Sequence, residues 1–497
     1  MTNPSLFDRP FRSTTVLFAT LAIGLLSLSA CASTPSATGT VSHDMSTSPP
    51  SPDPRIGLAA GQLDAGQAAW NMTLLSSTPP AEGFVGVTNS DLAFSGNYVY
   101  QGNYNGYQVW DVSNPRQVTL KTSYLCPASQ SDVSVYKHLL FVSGEGQSGR
   151  TDCGAQGVQD SVSAIRLRGI RIFDVSDVMN PKYVANVQTC RGSHTHTVAS
   201  DPRDDENVYI YVSGSSRVRS PSELPGCSGL SPEEDPNSAL FRIEVIRVPL
   251  ANPEQAAIVS SPRIFNDLAA PPRRGQPARA GGQRRPVNAA AAARRRTGPT
   301  QCHDITTYPE VGLAGGACGG YGLLLDISDV ANPRRIDAAA DSNMSFWHSA
   351  TFSNDGDKVL FSDEWGGGRG ARCRAEDDMK WGANALFTIE NRRMNFKTYY
   401  KMPAAQTEWE NCVAHNGSLI PIPDREVMVQ AWYQGGISVF DWTDVNNPKE
   451  IAFFDRGPLE DGELTSAGSW SVYWYNGNII SSEIARGLDV LALNPSA

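Results

Sequence analysis

The sequence predicts an all-β fold, a seven-bladed β-propeller of four-stranded antiparallel blades, and three observations carry the prediction. First, a β-branched or aromatic strand running into a polar turn recurs along the chain: "YQVWDVSNP" (107–115), "IRIFDVSDVMNP" (170–181), "FRIEVIRVPLANP" (241–253), "LLLDISDVANP" (323–333), "ISVFDWTDVNNP" (437–448) and "LDVLALNP" (488–495). Each unit closes on Asn-Pro. Proline has no N–H and a preset φ, so it suits the first residue of a strand, while the polar residue before it closes the turn with its side chain. Second, a strand–turn–strand segment precedes each unit, as in "DLAFSGNYVYQG" and "WSVYWYNGNIISSE", which makes four strands per repeat. Third, the last unit reaches Asn494-Pro495, where the others begin an outermost strand, so one strand of the last blade must come from elsewhere.

Taken in chain order, Arg9 and Arg12 precede an apolar run from Val16 to Leu26 and then Leu28-Ser29-Ala30-Cys31. That order is the one expected of a secretory signal over residues 1–30, and the apolar run is too short to span a bilayer as a helix. The tetrapeptide resembles a bacterial lipobox, and the resemblance implies that Cys31 carries a lipid anchor, making the membrane a partner. Residues 31–65 are rich in Ser, Thr, Pro and Gly and are expected to form a flexible tether. The propeller is expected over 66–497.

"AAWNMTLLSS" (68–77) supplies the strand that the last blade lacks, so residues near Trp70 to Ser76 should pair with 486–493 and close the ring. The blades then fall near 90–125, 131–190, 194–265, 302–341, 347–402, 412–455 and 468–495. The fifth, around "ALFTIENRRMNFKTYYKM", has no Asn-Pro, which leaves six or eight blades as the alternatives to seven. Within blade three's exit, residues 266–300 turn to Arg, Ala, Pro and Gly with no acid after Asp267, and are expected to be a disordered surface insertion. The net charge of −10 argues against nucleic acid as a partner.

Of the nine cysteines, the eight besides Cys31 suit disulfides if the chain is exported. The loop entering a blade and the loop joining its second and third strands emerge on one face. Cys126 should therefore pair with Cys153, Cys190 with Cys227, Cys302 with Cys318, and Cys373 with Cys412 of the next blade.

The "DVSDxxNP" units resemble those of the LVIVD-repeat family of bacterial surface and periplasmic propellers, a resemblance that covers essentially the whole propeller. It implies extracytoplasmic location and the fold, and says little about a reaction.

Aligning blades on their hairpin turns places His196, His303, His348 and His415 at equivalent points of the innermost strands of four successive blades, with Ser90, Ser131 and Trp470 or Ser471 at that point elsewhere. Inner strands line the channel, so the four imidazoles should converge near one mouth. His194 shares a strand face with His196 and is a substitute for it. Neutral imidazoles suit copper, zinc or iron better than calcium or magnesium. The competing reading is that His303, beside Asp304, fastens neighbouring blades by hydrogen bonds. The four histidines are similar to the hub of the selenium-binding protein and methanethiol oxidase family, a likeness that implies copper and oxidase chemistry. Glu145, Glu364, Glu408, Glu410 and Glu483, with Trp347, Trp365, Trp409, Trp432 and Trp470, are expected near the same face. Two functions follow: a lipid-anchored binding or scaffold propeller of the bacterial envelope whose loop face takes a protein, glycan or small-molecule ligand, or a metal-dependent oxidoreductase with its metal on the axis.

Overall fold

The computed structural model describes residues 46–231, 233–240, 242–272 and 299–494. The signal segment 1–30, Cys31, the tether up to residue 45 and most of the 266–300 insertion lie outside the described residues. Seven antiparallel sheets follow the expected order, with inner strands at Asn89–Ser95, Val133–Tyr136, Thr195–Asp201, Asp304–Tyr308, Trp347–Phe352, Gly417–Ile422 and Ser469–Tyr475. Apolar side chains between neighbouring sheets form the core, as where Leu324 and Ala317 of blade four meet Trp347, Val359 and Phe361 of blade five. The protein is an all-β propeller, one blade packing on the next.

The repeat is explained by its turns. Asp111, Asp174, Asp326 and Asp441 each end a third strand and accept the backbone N–H two residues on, from Ser113, Ser176, Ser328 and Thr443. This Asx geometry satisfies the chain as it leaves the ladder. Blade five manages without it: Asn384–Glu390 turns directly into Arg393–Tyr400 through Asn391 and Arg392, whose φ angles of 52° and 61° suit a two-residue hairpin.

Ring closure is by the N-terminal segment. Met72–Thr78 pairs with Gly487–Leu493 in the register Met72↔Leu493 to Thr78↔Leu488. Trp70 is the exception to the expected pairing, because Asn71 (φ 55°) bends the chain and leaves Gln67–Trp70 as a fifth strand on blade six, opposite Phe453–Arg456. The bend is held by Asn71 Nδ2, which donates to the Ile451 carbonyl. Within residues 46–65, part of the expected tether, Arg55 and Leu58 pack on blade six. Arg55 is buried there, donating to both carboxylate oxygens of Glu450 and to Asp53, its guanidinium 3.7 Å over the Phe453 ring. Composition hides this, since the fastening rests on a few residues, Arg55 and Leu58 with the Gly61 backbone, within a polar stretch.

All four expected disulfides form: Cys126–Cys153, Cys190–Cys227, Cys302–Cys318 and Cys373–Cys412. Four such bonds suit an oxidising, extracytoplasmic compartment.

Candidate metal centre at the propeller axis

Inner-strand residues of blades four, five and six bring three histidines together. The ring centroids of His303 and His348 lie 4.1 Å apart, and so do those of His348 and His415. The fourth member is His194, whose ring lies 4.5 Å from that of His303 with the two Nε2 atoms 2.8 Å apart. His196, expected in the cluster, is outside it. Its Nδ1 meets Ser143 Oγ at 2.8 Å and Asp132 Oδ2 at 3.3 Å, one pleat further along the strand. The physical reason is a bulge between Ala199 and Asp201 and a second strand of ten residues, Asp204–Ser213, where blades one, two and four have six. Counting back from a lengthened turn stops short of His194.

Two glutamates flank the histidines. Glu364, at the end of blade five's second strand, lies 3.8 Å from His348 Nε2 and 3.9 Å from His415 Nε2. His303, His348 and Glu364 each offer a ligand atom, all within 4.8 Å of one another. Glu145 sits on the other side, 2.6 Å from His194 Nδ1. Glu483 is instead ion-paired with Arg486, Glu410 accepts from Thr407, and Glu408 is exposed. Trp365 and Trp470 pack near Tyr433 beside the cluster, whereas Trp347 and Trp432 are core and Trp409 is 39% exposed.

Tyr433 was not legible in the sequence. It is buried, contacts the His415 ring at 4.5 Å, and its hydroxyl donates to Glu364 Oε1 at 2.6 Å. The glycine run of "EWGGGRG" makes room for the pair: Gly368 has φ 66°, and a Cβ there would fall 2.4 Å from Tyr433 Oη and 2.8 Å from Glu364 Oε1. The run serves as a cradle for this carboxylate and phenol.

Partners assign the protons. His303 Nδ1 donates to the His348 carbonyl and His415 Nδ1 to the Trp470 carbonyl, so in the neutral rings each Nε2 carries a lone pair. Burial, then the neighbouring imidazoles, hold His303 and His348 well below the usual histidine range, and burial lowers His415 to about 3. His194 goes the other way. Burial opposes its charge, but the hydrogen bond and charge of Glu145 outweigh burial and raise it, while the same pair lowers Glu145 against burial. A proton on His194 Nε2 then completes its contact with His303. Burial raises Glu364 to about 7, with the Tyr433 hydroxyl opposing the shift.

These donors suit a borderline transition metal. His348 Nδ1 is buried and meets no hydrogen-bond partner among the described residues, while its Nε2 faces Glu364 across a gap too wide for a hydrogen bond. Ligand atoms bound at about 2.1 Å to one ion stand some 3–4 Å from each other. The observed spacing is of that order.

Comparison with known proteins adds a repeat match. The LVIVD repeat family matches residues 88–126. The search of curated proteins found no match. Among solved structures, the periplasmic gluconolactonase of Pseudomonas aeruginosa is 11% identical, with 80% of this chain and 88% of that one covered and a TM-score of 0.46. A putative 6-phosphogluconolactonase of Bacteroides uniformis gives 11%, 80%, 88% and 0.45, and hydrazine synthase of Kuenenia stuttgartiensis gives 9%, 80%, 94% and 0.45. The chain is thus a seven-bladed β-propeller whose first blade, over residues 88–126, matches the LVIVD repeat.

Proposed function

We propose that this chain is an exported envelope propeller whose axis binds a transition metal ion through His303, His348, His415 and Glu364. The observation that carries the reading is the convergence of His303, His348 and Glu364 ligand atoms within 4.8 Å, the last two buried and His303 partly so, with His348 Nδ1 left without a hydrogen-bond partner among the described residues. Imidazole with one carboxylate selects copper, zinc or iron over calcium and magnesium. Bound there, such an ion supplies Lewis acidity or electron transfer. Fastening and ligation need not compete at His415, whose Nδ1 ties blade six to seven and leaves Nε2 free; at His303, whose Nδ1 ties blade four to five, the metal takes the Nε2 lone pair in place of the His194 proton. Supporting donors are also in place around the site: Tyr433 on Glu364, and the two carbonyls that fix tautomers. The Cys31 lipid anchor and the disulfides complete a reading in which the propeller is held at the envelope and offers its loop face to a protein, glycan or small molecule.

The test is elemental analysis of protein purified from the periplasm without affinity metal. Near-stoichiometric copper, zinc or iron is expected, and it should fall below a tenth of that in His303→Ala/His348→Ala. A metal-free wild type that also gains no thermal stability from added zinc or copper would overturn the reading.

A further inference from the structure

Three of the four disulfides stand just ahead of a histidine of the cluster. Cys302 immediately precedes His303, Cys412 lies three residues before His415, and Cys190 four before His194. Cys126 differs, because the inner strand that follows it, Val133–Tyr136, brings no histidine to the axis. We propose that Cys302–Cys318 and Cys373–Cys412 are positioning bridges for the axial site, so that its metal centre is complete only in the oxidised chain. The inference rests on the metal reading above, since His303, His415 and Glu364 are the ligands that these two bridges hold.

His303 sits where a loop ends and a strand begins. It is the last residue before Asp304–Tyr308, and its N–H extends the ladder by donating to the Ala317 carbonyl at 2.8 Å. A ladder frays at such an end. Here the next residue back is Cys302, buried and tied to Cys318 on the paired strand Leu313–Cys318. Cys373–Cys412 does the same work across two blades. Ala371 pairs with Cys412, the Arg372 N–H donates to the Cys412 carbonyl at 3.2 Å, and the Cys412 N–H donates to the Gly370 carbonyl at 3.1 Å. These contacts fix the loop that starts at Glu364 and holds Gly368 against the segment that delivers His415. His348 has no bridge because Asp363 replaces one: its buried carboxylate accepts the N–H groups of Ser345 and Phe346, at 3.1 and 2.8 Å, ahead of that histidine. Ligands in place for only about a tenth of the time bind a metal about tenfold more weakly. Forming each bridge releases two protons and passes two electrons to a disulfide oxidant of the compartment, which becomes a dithiol. Metal uptake then follows oxidation.

Zinc and cobalt(II) are the probes, on the full exported chain, with zinc affinity read by competition against a chromophoric chelator and cobalt geometry by visible absorption. Cys302→Ala/Cys318→Ala and Cys373→Ala/Cys412→Ala should each weaken zinc binding by about tenfold or more and change the cobalt spectrum. Cys126→Ala/Cys153→Ala is the control. It should lose thermal stability as the other two do, since each removes a loop constraint, yet keep zinc affinity within about threefold of wild type. Should one of the first two variants fold poorly, the other carries the same expectation. Wild-type affinity in those variants, or an equal loss in the control, would overturn the proposal and leave the metal reading standing; a wild type that binds neither ion would overturn both.

Discussion

His194 Nε2 and His303 Nε2 face each other across 2.8 Å, and only a shared proton makes that contact favourable. His303 already donates through Nδ1, so the proton belongs to His194, held by Glu145. The pair is about one-fifth exposed on each side. A charge-assisted bond of this kind is worth about 1.5–3 kcal/mol. A double-mutant cycle with Glu145→Gln and His194→Ala should show coupling of that order below pH 6. Because the folded pKa of His194 is raised, its contribution is complete below the unfolded value and disappears as pH rises through the folded one. Coupling unchanged from pH 6 to pH 9 would contradict the assignment.

Asp91 predicts the same direction of pH dependence from a different cause. Burial, with the charge of Asp132 added, raises its carboxyl from the ordinary 3.8 to about 7. A raised acid favours the folded state while protonated, and that stability is lost as pH climbs between those values. Asp91→Asn, measured in chelator, should therefore raise the melting temperature more at pH 8 than at pH 5. An equal or reversed effect would show that the carboxylate is already compensated.

Arg55 should govern the N-terminal strap. Replacing it by Ala strands Glu450, which is 6% exposed, without its bidentate partner. The expected loss is about 3–5 kcal/mol in urea unfolding. Lysine should recover little of it, since an ammonium cannot match both carboxylates and the Phe453 face. A variant with wild-type stability would mean that the strap adds nothing to the ring.

The fold was legible because its signals are local. Asx turns, Asn-Pro and hairpin spacing recur in most blades, and the open edge at 487–493 called for a strand that "AAWNMTLLSS" supplies from Met72 on. Cysteine pairing followed from blade topology for the same reason. The convergence of the histidines was legible, with His194 named as a substitute for His196. His303, His348 and His415 come from regular hairpins, whereas a bulge and a long second strand in blade three moved the cluster's fourth member from His196 to His194. Tyr433 and the role of Gly368 depend on loops of different blades meeting over Glu364, a contact between residues 65 apart that no spacing rule encodes. Arg55 was hidden similarly, its partner Glu450 lying at the far end of the chain.

Tyr433 separates a metal centre from a merely packed cluster. Among the described residues its hydroxyl makes the one short hydrogen bond to the Glu364 carboxylate, inside the cradle of Gly368, so Tyr433→Phe removes a single oxygen and leaves the ring contact with His415 in place. If Glu364 is a ligand, loss of the donor that orients it should lower metal affinity by about 10–100-fold. The fold should suffer only the ordinary cost of one buried acceptor left unsatisfied, about 1–3 kcal/mol. If the cluster only fastens blades, stability falls by the same amount but there is no metal affinity to change. Zinc competition against a chromophoric chelator, run beside thermal melts of wild type and Tyr433→Phe, distinguishes these outcomes. Gly368→Ala is the geometric control: a methyl group that meets Tyr433 Oη and Glu364 Oε1 must displace one of them, so it should weaken zinc binding at least as much as Tyr433→Phe. Zinc bound equally well by wild type and both variants would remove Glu364 from the centre.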